Sequence, residues 1–285
     1  MNNSCYMCGS TGIDIVEGSV RDNDKLLILK CKNCDLIFLS SFEHIKKDYY
    51  NDSHQHDDPL EYRTPIEYNE DDDRRFKYCK LWIENKKHLD FGCGEGGFLL
   101  KTQNITNISH GWELEDLPRN SLRKKSVKVF SSFKEMEGFE GFYDIITVFH
   151  VLEHSPDPVA LLNDLKKYLN PKGGQILIEV PNGDDALLKL YKNKGFSNFY
   201  WSCHLFLFTQ KTLTDLFNKT GFDIDYIQQI QRYSLSNHLY WLSNNENGGH
   251  LKWGFIDSDL VNLEYANRLG ALGMCDTLMA RIRIK

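Results

Sequence analysis

Apolar and polar positions change their periodicity repeatedly along the chain from about residue 74 onward. Short apolar runs alternate with segments in which apolar residues recur every three or four positions, as on one face of a helix. The apolar runs predict strands near 88–92, 108–114, 127–130, 143–150, 175–180, 222–229 and 277–284. The helical segments lie near 74–87, 96–103, 117–125, 156–169, 210–220 and 258–270. This alternation predicts an α/β fold with a mainly parallel sheet covered on both faces.

The remaining pattern divides the chain into three predicted regions. Residues 1–42 form a cysteine-containing module, 43–75 a polar connector or lid, and 76–285 the main domain. An insertion at about 233–274 interrupts the main domain, and its length favours a functional role. The connector contains a His-x-His pair at 54–56. Such a pair in a polar loop is more often solvated surface than a metal site.

Two C-x-x-C pairs dominate the first region. Cys5 and Cys8 are separated by 22 residues from Cys31 and Cys34, and the returning strand of a hairpin is predicted at 26–30. Paired thiolates two residues apart can hold one metal from a tight turn, and four sulfurs close the coordination sphere of a structural zinc. The other four of the eight cysteines are scattered, which favours metal binding over disulfides. We therefore predict one structural zinc; four buried free thiols are the alternative.

Composition narrows the choice of partners. With 285 residues, 41% of them hydrophobic, the chain can bury a full core. A formal net charge of -6 provides no general attraction for nucleic acid or anionic membranes. The amino terminus lacks a basic flank followed by an apolar core, and no apolar run approaches the roughly 20 residues that span a bilayer. We expect a cytoplasmic protein without membrane insertion, and nucleic acid is an unfavoured partner.

The first predicted strand of the main domain runs into a glycine-rich loop. Gly92, Gly94 and Gly97 fit the dinucleotide pattern G-x-G-x-x-G, whereas replacing Gly97 by Gly96 fits the tighter loop of S-adenosylmethionine sites. Asp90 and Glu95 flank the turn. Two carboxylates would repel a pyrophosphate but attract the ammonium and sulfonium of S-adenosylmethionine. The loop therefore predicts a methyl-donor site, although the glycines alone also allow a nicotinamide dehydrogenase.

Three stretches together carry a family resemblance. Leu89-Asp90-Phe91-Gly92-Cys93-Gly94-Glu95-Gly96, Gly111-Trp112-Glu113, and Tyr143-Asp144-Ile145-Ile146 leading to 150–158 resemble the class I S-adenosylmethionine-dependent methyltransferases. The resemblance covers roughly residue 75 to the end and implies a Rossmann-like sheet with an antiparallel last strand. The paired cysteines in front, with segments 232–238 and 248–250, look like parts of bacterial methyltransferases that modify sugars in antibiotic and surface-polysaccharide pathways.

The resemblance also implies a cofactor-binding set. Glu113 would accept hydrogen bonds from both ribose hydroxyls, and Asp90 would lie near the cofactor's amino group. Phe133 would lie against the adenine. The full implied set is Asp90, Gly92, Gly94, Gly96, Glu113, Phe133, Phe149 and His150.

Two histidines are candidate catalytic residues, because methyl transfer to a hydroxyl or acidic carbon requires a base. His154 follows the fourth strand and His204 the fifth, so both should face the crevice at the carboxyl edge of the sheet. The family resemblance places His204 over the methyl group and favours it as the base; His154 could equally be a helix-start histidine bonded to backbone. His150, Glu153 and His154 also resemble a magnesium segment of related quinone-ring O-methyltransferases, but His150 replaces its first carboxylate, and magnesium prefers oxygen ligands.

These features favour a methyltransferase that acts on a small molecule, with a nucleotide-linked sugar or surface-polysaccharide precursor as the expected acceptor. An rRNA or tRNA methyltransferase with a zinc module is the alternative. It is opposed by the lack of a pronounced basic stripe and of an Asn-Pro-Pro-aromatic box after the fourth strand. A non-catalytic binding protein on the same fold would retain the cofactor residues without chemical reason. The sequence predicts no oligomeric state.

Overall fold

A computed structural model of the protein describes residues 4–46, 49, 65–192 and 200–285, with residues 65–69 described by their backbone alone. The histidine pair at 54–56 lies outside the described residues. Within the described ranges, no helix is long and apolar enough to cross a bilayer.

The amino-terminal region forms a small antiparallel sheet. Its strands are β1 (Ile13–Ile15), β2 (Ile28–Cys31) and β3 (Ile37–Leu39), in the order β1-β2-β3. The hairpin strand predicted at 26–30 corresponds to β2. The first C-x-x-C pair lies in a turn beside this sheet, and the second begins at Cys31, the last residue of β2. Gly9 and Asp35 adopt positive φ angles of 72° and 67° where the chain reverses after each pair.

The first half of the main domain alternates helices and strands as the periodicity predicts. Its elements are α1 (Pro65–Ile83), β4 (Lys87–Phe91), α2 (Gly97–Thr102), β5 (Ile108–Trp112), α3 (Asp116–Lys124), β6 (Val129–Phe130), β7 (Ile145–Phe149), α4 (Pro158–Tyr168) and β8 (Gln175–Pro181). Helix α1 begins well before the predicted residue 74. The acidic run at 70–73 carries no apolar periodicity, so the sequence pattern did not reveal this earlier start.

The second half completes the domain. Its elements are α5 (Ala186–Lys189), β9 (Phe206–Leu207), α6 (Gln210–Lys219), β10 (Phe222–Ile230), α7 (Leu235–Asn244), α8 (Gly249–Lys252), α9 (Asp259–Leu272) and β11 (Thr277–Ile284). Helices α7, α8 and α9 occupy the segment predicted as an insertion, and α9 matches the helix expected near 258–270.

The large sheet has the strand order β10-β11-β8-β7-β4-β5-β6. Strands β4 to β8 run parallel, whereas β11 is antiparallel to both β8 and β10. The Rossmann-like fold with an antiparallel last strand is therefore confirmed. Strand β5 lies on one side of β4, and the chain later returns as β7 on the opposite side of β4. In open α/β sheets, this reversal opens a crevice at the carboxyl ends of the strands.

Strand β9 joins the two parts of the molecule. Phe38 of β3 pairs with Phe206 of β9, so the small sheet has the order β1-β2-β3-β9. The Leu39 amide also donates to the Leu205 carbonyl at 3.0 Å. The amino-terminal strands thus extend onto a segment of the main domain that follows the fifth parallel strand, a long-range pairing without a local sequence signal.

Candidate active site

The glycine loop connects β4 to α2 with a backbone that requires glycine. Gly92, Gly94 and Gly96 have φ angles of 76°, 50° and 80°, in the left-handed region that side chains disfavour. A Cβ on Gly92 would lie 2.2 Å from Val151 Cγ2, and one on Gly96 would lie 2.4 Å from Leu122 Cδ2. The loop therefore has no room for side chains at Gly92 and Gly96, and its backbone lies at the carboxyl edge of the sheet.

Glu113, just beyond the end of β5, holds this loop in place. Its Oε2 accepts a hydrogen bond from the Gly94 amide at 2.8 Å, and its Oε1 accepts one from the Glu115 amide at 2.9 Å. Each carboxylate oxygen has two lone pairs and can accept more than one hydrogen bond. Glu113 therefore holds the glycine loop against the end of β5, and its contact with a ribose stays a prediction.

Asp90 is buried near the end of β4. Its Oδ1 accepts a hydrogen bond from the Thr147 hydroxyl of β7 at 2.7 Å. Burial raises the pKa of Asp90 to about 7, although the bond from Thr147 opposes that shift. A cationic ligand group nearby would favour the ionised carboxylate, so Asp90 can respond to the ammonium expected beside it.

Phe149 ends β7, and His150 follows it next to the loop. Phe149 packs on Phe98, with ring centroids 5.1 Å apart. His150 has a φ of 53° and places its Nδ1 3.1 Å from Glu153 Oε1 and its Nε2 3.2 Å from Glu179 Oε1. His150 thus lies within ion-pair distance of two carboxylates. Among the described residues, the set of His150, Glu153 and His154 is not one of the clusters with metal-ligand spacing, so magnesium gains no support there.

Glu179 is a site residue that the sequence pattern did not reveal. It is fully buried on β8 and accepts hydrogen bonds from Arg74 Nη1 at 2.8 Å and Arg75 Nη2 at 2.7 Å. Burial by itself would raise the pKa of Glu179, but Arg75, His150 and Arg74 hold it well below its usual range. The sequence signal that could have revealed Glu179 is a single carboxylate inside the apolar strand β8. These ion pairs fix α1 over the carboxyl edge of the sheet.

Phe133 belongs to an aromatic cluster. Its ring stacks with Phe91 at 5.9 Å and with Tyr168 at 5.8 Å between centroids, and Trp112 lies 6.0 Å away. These contacts place Phe133 beside the strand ends that carry the glycine loop and Glu113. Its contact with adenine stays a prediction.

The two candidate catalytic histidines come together in space. The His154 and His204 rings lie 4.9 Å apart between centroids, at an interplanar angle of 71°. The Leu205 amide donates to the Glu153 carbonyl at 2.9 Å, which holds the two segments together. His154 Nδ1 lies 3.0 Å from the Cys203 carbonyl oxygen, as a histidine bonded to backbone would. Burial lowers the pKa of His154, so its imidazole is neutral near pH 7.

The amino-terminal module and the start of the connector hold the segment that carries His204 through hydrogen bonds and a cation–π contact. Asp22 accepts hydrogen bonds from the Ser202 amide at 2.8 Å and from the Ser202 hydroxyl at 2.7 Å. The Arg21 guanidinium lies 4.4 Å from the centroid of the Trp201 ring, and His44 Nε2 lies 2.7 Å from the Ser202 carbonyl oxygen. The position of His204 therefore depends on residues far away in sequence.

The four amino-terminal cysteines form a compact cluster. Their sulfurs lie within 4.8 Å of one another, with Cys5 and Cys34 3.5 Å apart and Cys8 and Cys31 also 3.5 Å apart. These separations are far longer than the roughly 2.05 Å of a disulfide bond and suit sulfurs around one ion at about 2.3 Å. The cluster lies at metal-binding distance, and its donor set fits zinc.

Comparisons with known proteins agree with this architecture. A family model described as a methyltransferase domain matches residues 55–227, which leaves the four-cysteine cluster outside the match. A ubiquinone biosynthesis O-methyltransferase from Hydrogenovibrio crunogenus is 27% identical over 232 residues, 74% of this chain and 92% of that relative. Another, from Pseudomonas aeruginosa, is 27% identical over 159 residues, 53% of this chain and 65% of the relative. The narrower resemblance to sugar-modifying enzymes is not shown by these relatives.

Solved structures share the fold. Magnesium protoporphyrin IX methyltransferase from Synechocystis, solved with bound SAH, superposes with a TM-score of 0.54 at 10% identity, over 85% of this chain and 100% of that one. A methyltransferase from Archaeoglobus fulgidus gives a TM-score of 0.51 at 20% identity, over 75% and 94%. At such identities the likeness shows the fold alone. With more than half of its length matched by the family model, the chain belongs to the methyltransferase-domain family and is an S-adenosylmethionine-dependent methyltransferase.

Proposed function

We propose that this enzyme transfers the methyl group of S-adenosylmethionine to a hydroxyl of a small acceptor in the crevice at the carboxyl edge of the large sheet. The carrying observation is the pair of His154 and His204, 4.9 Å apart between ring centroids. Both follow parallel strands of the sheet whose glycine loop Glu113 anchors. A proton acceptor and a donor-binding loop thus share one edge, as a methyl transfer that needs a base requires.

The proposed cofactor site uses the loop backbone and the surrounding strand ends. Glu113 holds the ribose hydroxyls, Asp90 faces the ammonium, and Phe133 lies near the adenine. The loop adopts positive φ angles at its glycines, and a backbone without side chains there would allow the methionine part of the cofactor to approach. The proposed set is Asp90, Gly92, Gly94, Gly96, Glu113, Phe133, Phe149 and His150.

The chemical step is an in-line displacement. The acceptor hydroxyl gives its proton to His204, its oxygen forms a bond to the methyl carbon, and the carbon–sulfur bond breaks with its electron pair going to sulfur. The products are the methyl ether, protonated His204 and S-adenosylhomocysteine. Because the methyl group is already activated by the sulfonium, the main tasks of the protein are alignment and proton removal.

The proposed acceptor is a nucleotide-linked sugar or a surface-polysaccharide precursor. The amino-terminal module lies outside the family match and is hydrogen-bonded to the segment that carries His204. This arrangement supports the proposal of an acceptor different from those of the named relatives. We propose that it shapes the acceptor side of the crevice and holds one structural zinc at Cys5, Cys8, Cys31 and Cys34. A phenolic quinone precursor is the second candidate, favoured by the names of the relatives.

A panel assay tests the acceptor. Purified enzyme is incubated with methyl-labelled S-adenosylmethionine and either hydroxylated sugar nucleotides or catechols, and labelled products are resolved by mass spectrometry. We expect saturable transfer to a sugar nucleotide that is lost in His204→Ala. Transfer confined to catechols would replace the first candidate by the second. Transfer to neither class would contradict the proposed acceptor chemistry.

A further inference from the structure

A second cluster of metal-ligating side chains lies away from the four cysteines. Among the described residues, His154, Cys203 and His204 each offer one ligand atom, and these atoms lie within 4.8 Å of one another. The cluster forms where the Trp201–Leu205 segment packs on the turn that follows β7, held by the bond from the Leu205 amide to the Glu153 carbonyl at 2.9 Å. Cys203 is buried, and the two histidines are half-buried.

The donor set selects a class of ion. Zinc takes imidazole nitrogen at about 2.0–2.1 Å and thiolate sulfur at about 2.3 Å, so in a tetrahedral site its ligand atoms lie about 3.3–3.6 Å from each other. Small side-chain adjustments bring the three atoms into that range. A thiolate and two imidazoles favour zinc-like transition metals over magnesium, which prefers oxygen.

The local hydrogen bonding suits ligation. His154 Nδ1 lies 3.0 Å from the Cys203 carbonyl oxygen, the kind of contact that orients the ring of a metal-binding histidine and makes Nε2 the ligand atom that we propose. Three protein ligands leave the fourth tetrahedral position open, unlike the closed set of four cysteines.

We propose that His154, Cys203 and His204 form a second, exchangeable site for a zinc-like ion, and that its occupancy inhibits methyl transfer. The inhibition rests on the function proposed above, in which His204 accepts the proton of the acceptor. An imidazole nitrogen that coordinates a metal cannot accept that proton, so metal binding and catalysis compete for the same side chain. Binding displaces the Cys203 thiol proton to solvent.

Zinc titration of the full-length enzyme, monitored by calorimetry, tests the site itself. The starting material is the purified protein with its metal content measured. We expect one further equivalent to bind, and Cys203→Ser to weaken that binding by 10-fold or more. Cys275→Ser, at another buried cysteine outside the cluster, is the matched control and should bind the further equivalent as the parent does. His204→Gln is the second test variant, with thermal unfolding and S-adenosylmethionine affinity used to confirm its folding.

Turnover measured during the titration tests the inhibition. Activity should fall in step with the further equivalent, return on brief chelation, and in Cys203→Ser resist the same zinc concentration when compared with that variant's metal-free rate. No further equivalent in the parent, or equal binding by the parent and Cys203→Ser, would overturn the site. A further equivalent that leaves turnover unchanged would overturn the inhibition. An enzyme that binds the further equivalent but never transfers a methyl group would instead contradict the proposed function.

Discussion

The Gly94 amide donates a hydrogen bond of 2.8 Å to the Glu113 carboxylate. This bond connects the loop after β4 to the end of β5, the two adjacent strand ends on which the donor site is built. Glu113 is 9% exposed, so its charge is largely screened from solvent. One side chain therefore holds the glycine loop at the end of β5, where we propose that the donor binds.

Replacing Glu113 by Gln should weaken S-adenosylmethionine binding. The amide has a single acceptor oxygen, so it cannot bond two backbone amides and two ribose hydroxyls as a carboxylate can. The loss of a charge-assisted hydrogen bond corresponds to about 2 kcal/mol, or roughly 30-fold in Kd. Calorimetry would measure the effect, with the exposed Glu137→Gln as the matched control. Equal affinity of both variants would remove Glu113 from the cofactor site.

The affinity for S-adenosylmethionine should rise between about pH 6 and 7.5. The pKa of Asp90 is about 7 in the fold, and an ammonium is attracted to the ionised form. Because the pKa of Asp90 in the fold exceeds the unfolded value of about 3.9, the stability that Asp90 contributes is fully present below about pH 3.9. It is lost as the pH rises through about 7. Asp90→Asn should make affinity nearly independent of pH in this range. Calorimetry at about pH 6 and 7.5 would measure the affinity of the parent and of Asp90→Asn. A pH dependence that persists in the variant would have another source and would contradict this role of Asp90.

Asp22 should act as a positioning residue for the segment that carries His204. Asp22→Asn removes the charge that accepts two hydrogen bonds from Ser202. We expect kcat to fall about 10-fold, less than the roughly 100-fold that a 1 Å misplacement of reacting groups can produce. The Kd for S-adenosylmethionine should be unchanged, because the donor loop lies on other strands. Asp24→Asn, two residues away, provides the control. A rise in that Kd with unaltered kcat would contradict a positioning role.

Metal analysis of protein purified without added metal should give about one zinc per chain. Cys31→Ser should lose that zinc and lower the unfolding temperature by about 10 °C or more, because a structural site contributes folding free energy. Cys275→Ser should retain the metal. If the parent contains four thiols that react freely with a thiol reagent and no metal, the zinc assignment fails.

The strands and the glycine loop could be predicted from the sequence because their signals are local. Apolar runs reveal β4, β7 and β8, and the spacing of the glycines reveals a tight turn. The link between Asp22 and Ser202 joins residues 180 positions apart, and the pair of Arg74 and Glu179 spans 105. Neither pair has a periodic pattern, and both arise when the completed sheet brings distant segments to one edge. The sequence predicts that His154 and His204 both face the carboxyl edge, because both follow parallel strands, but it does not predict their 4.9 Å approach.

The most direct test of the account separates donor binding from turnover in His204→Ala. On the acceptor that the panel assay identifies, kcat should fall by about 100-fold or more, the usual effect of removing a positioned base. The Kd for S-adenosylmethionine should stay within about twofold of the parent, and His250→Ala should match the parent in both. Unchanged turnover in His204→Ala would contradict the assignment of this residue as the base in methyl transfer.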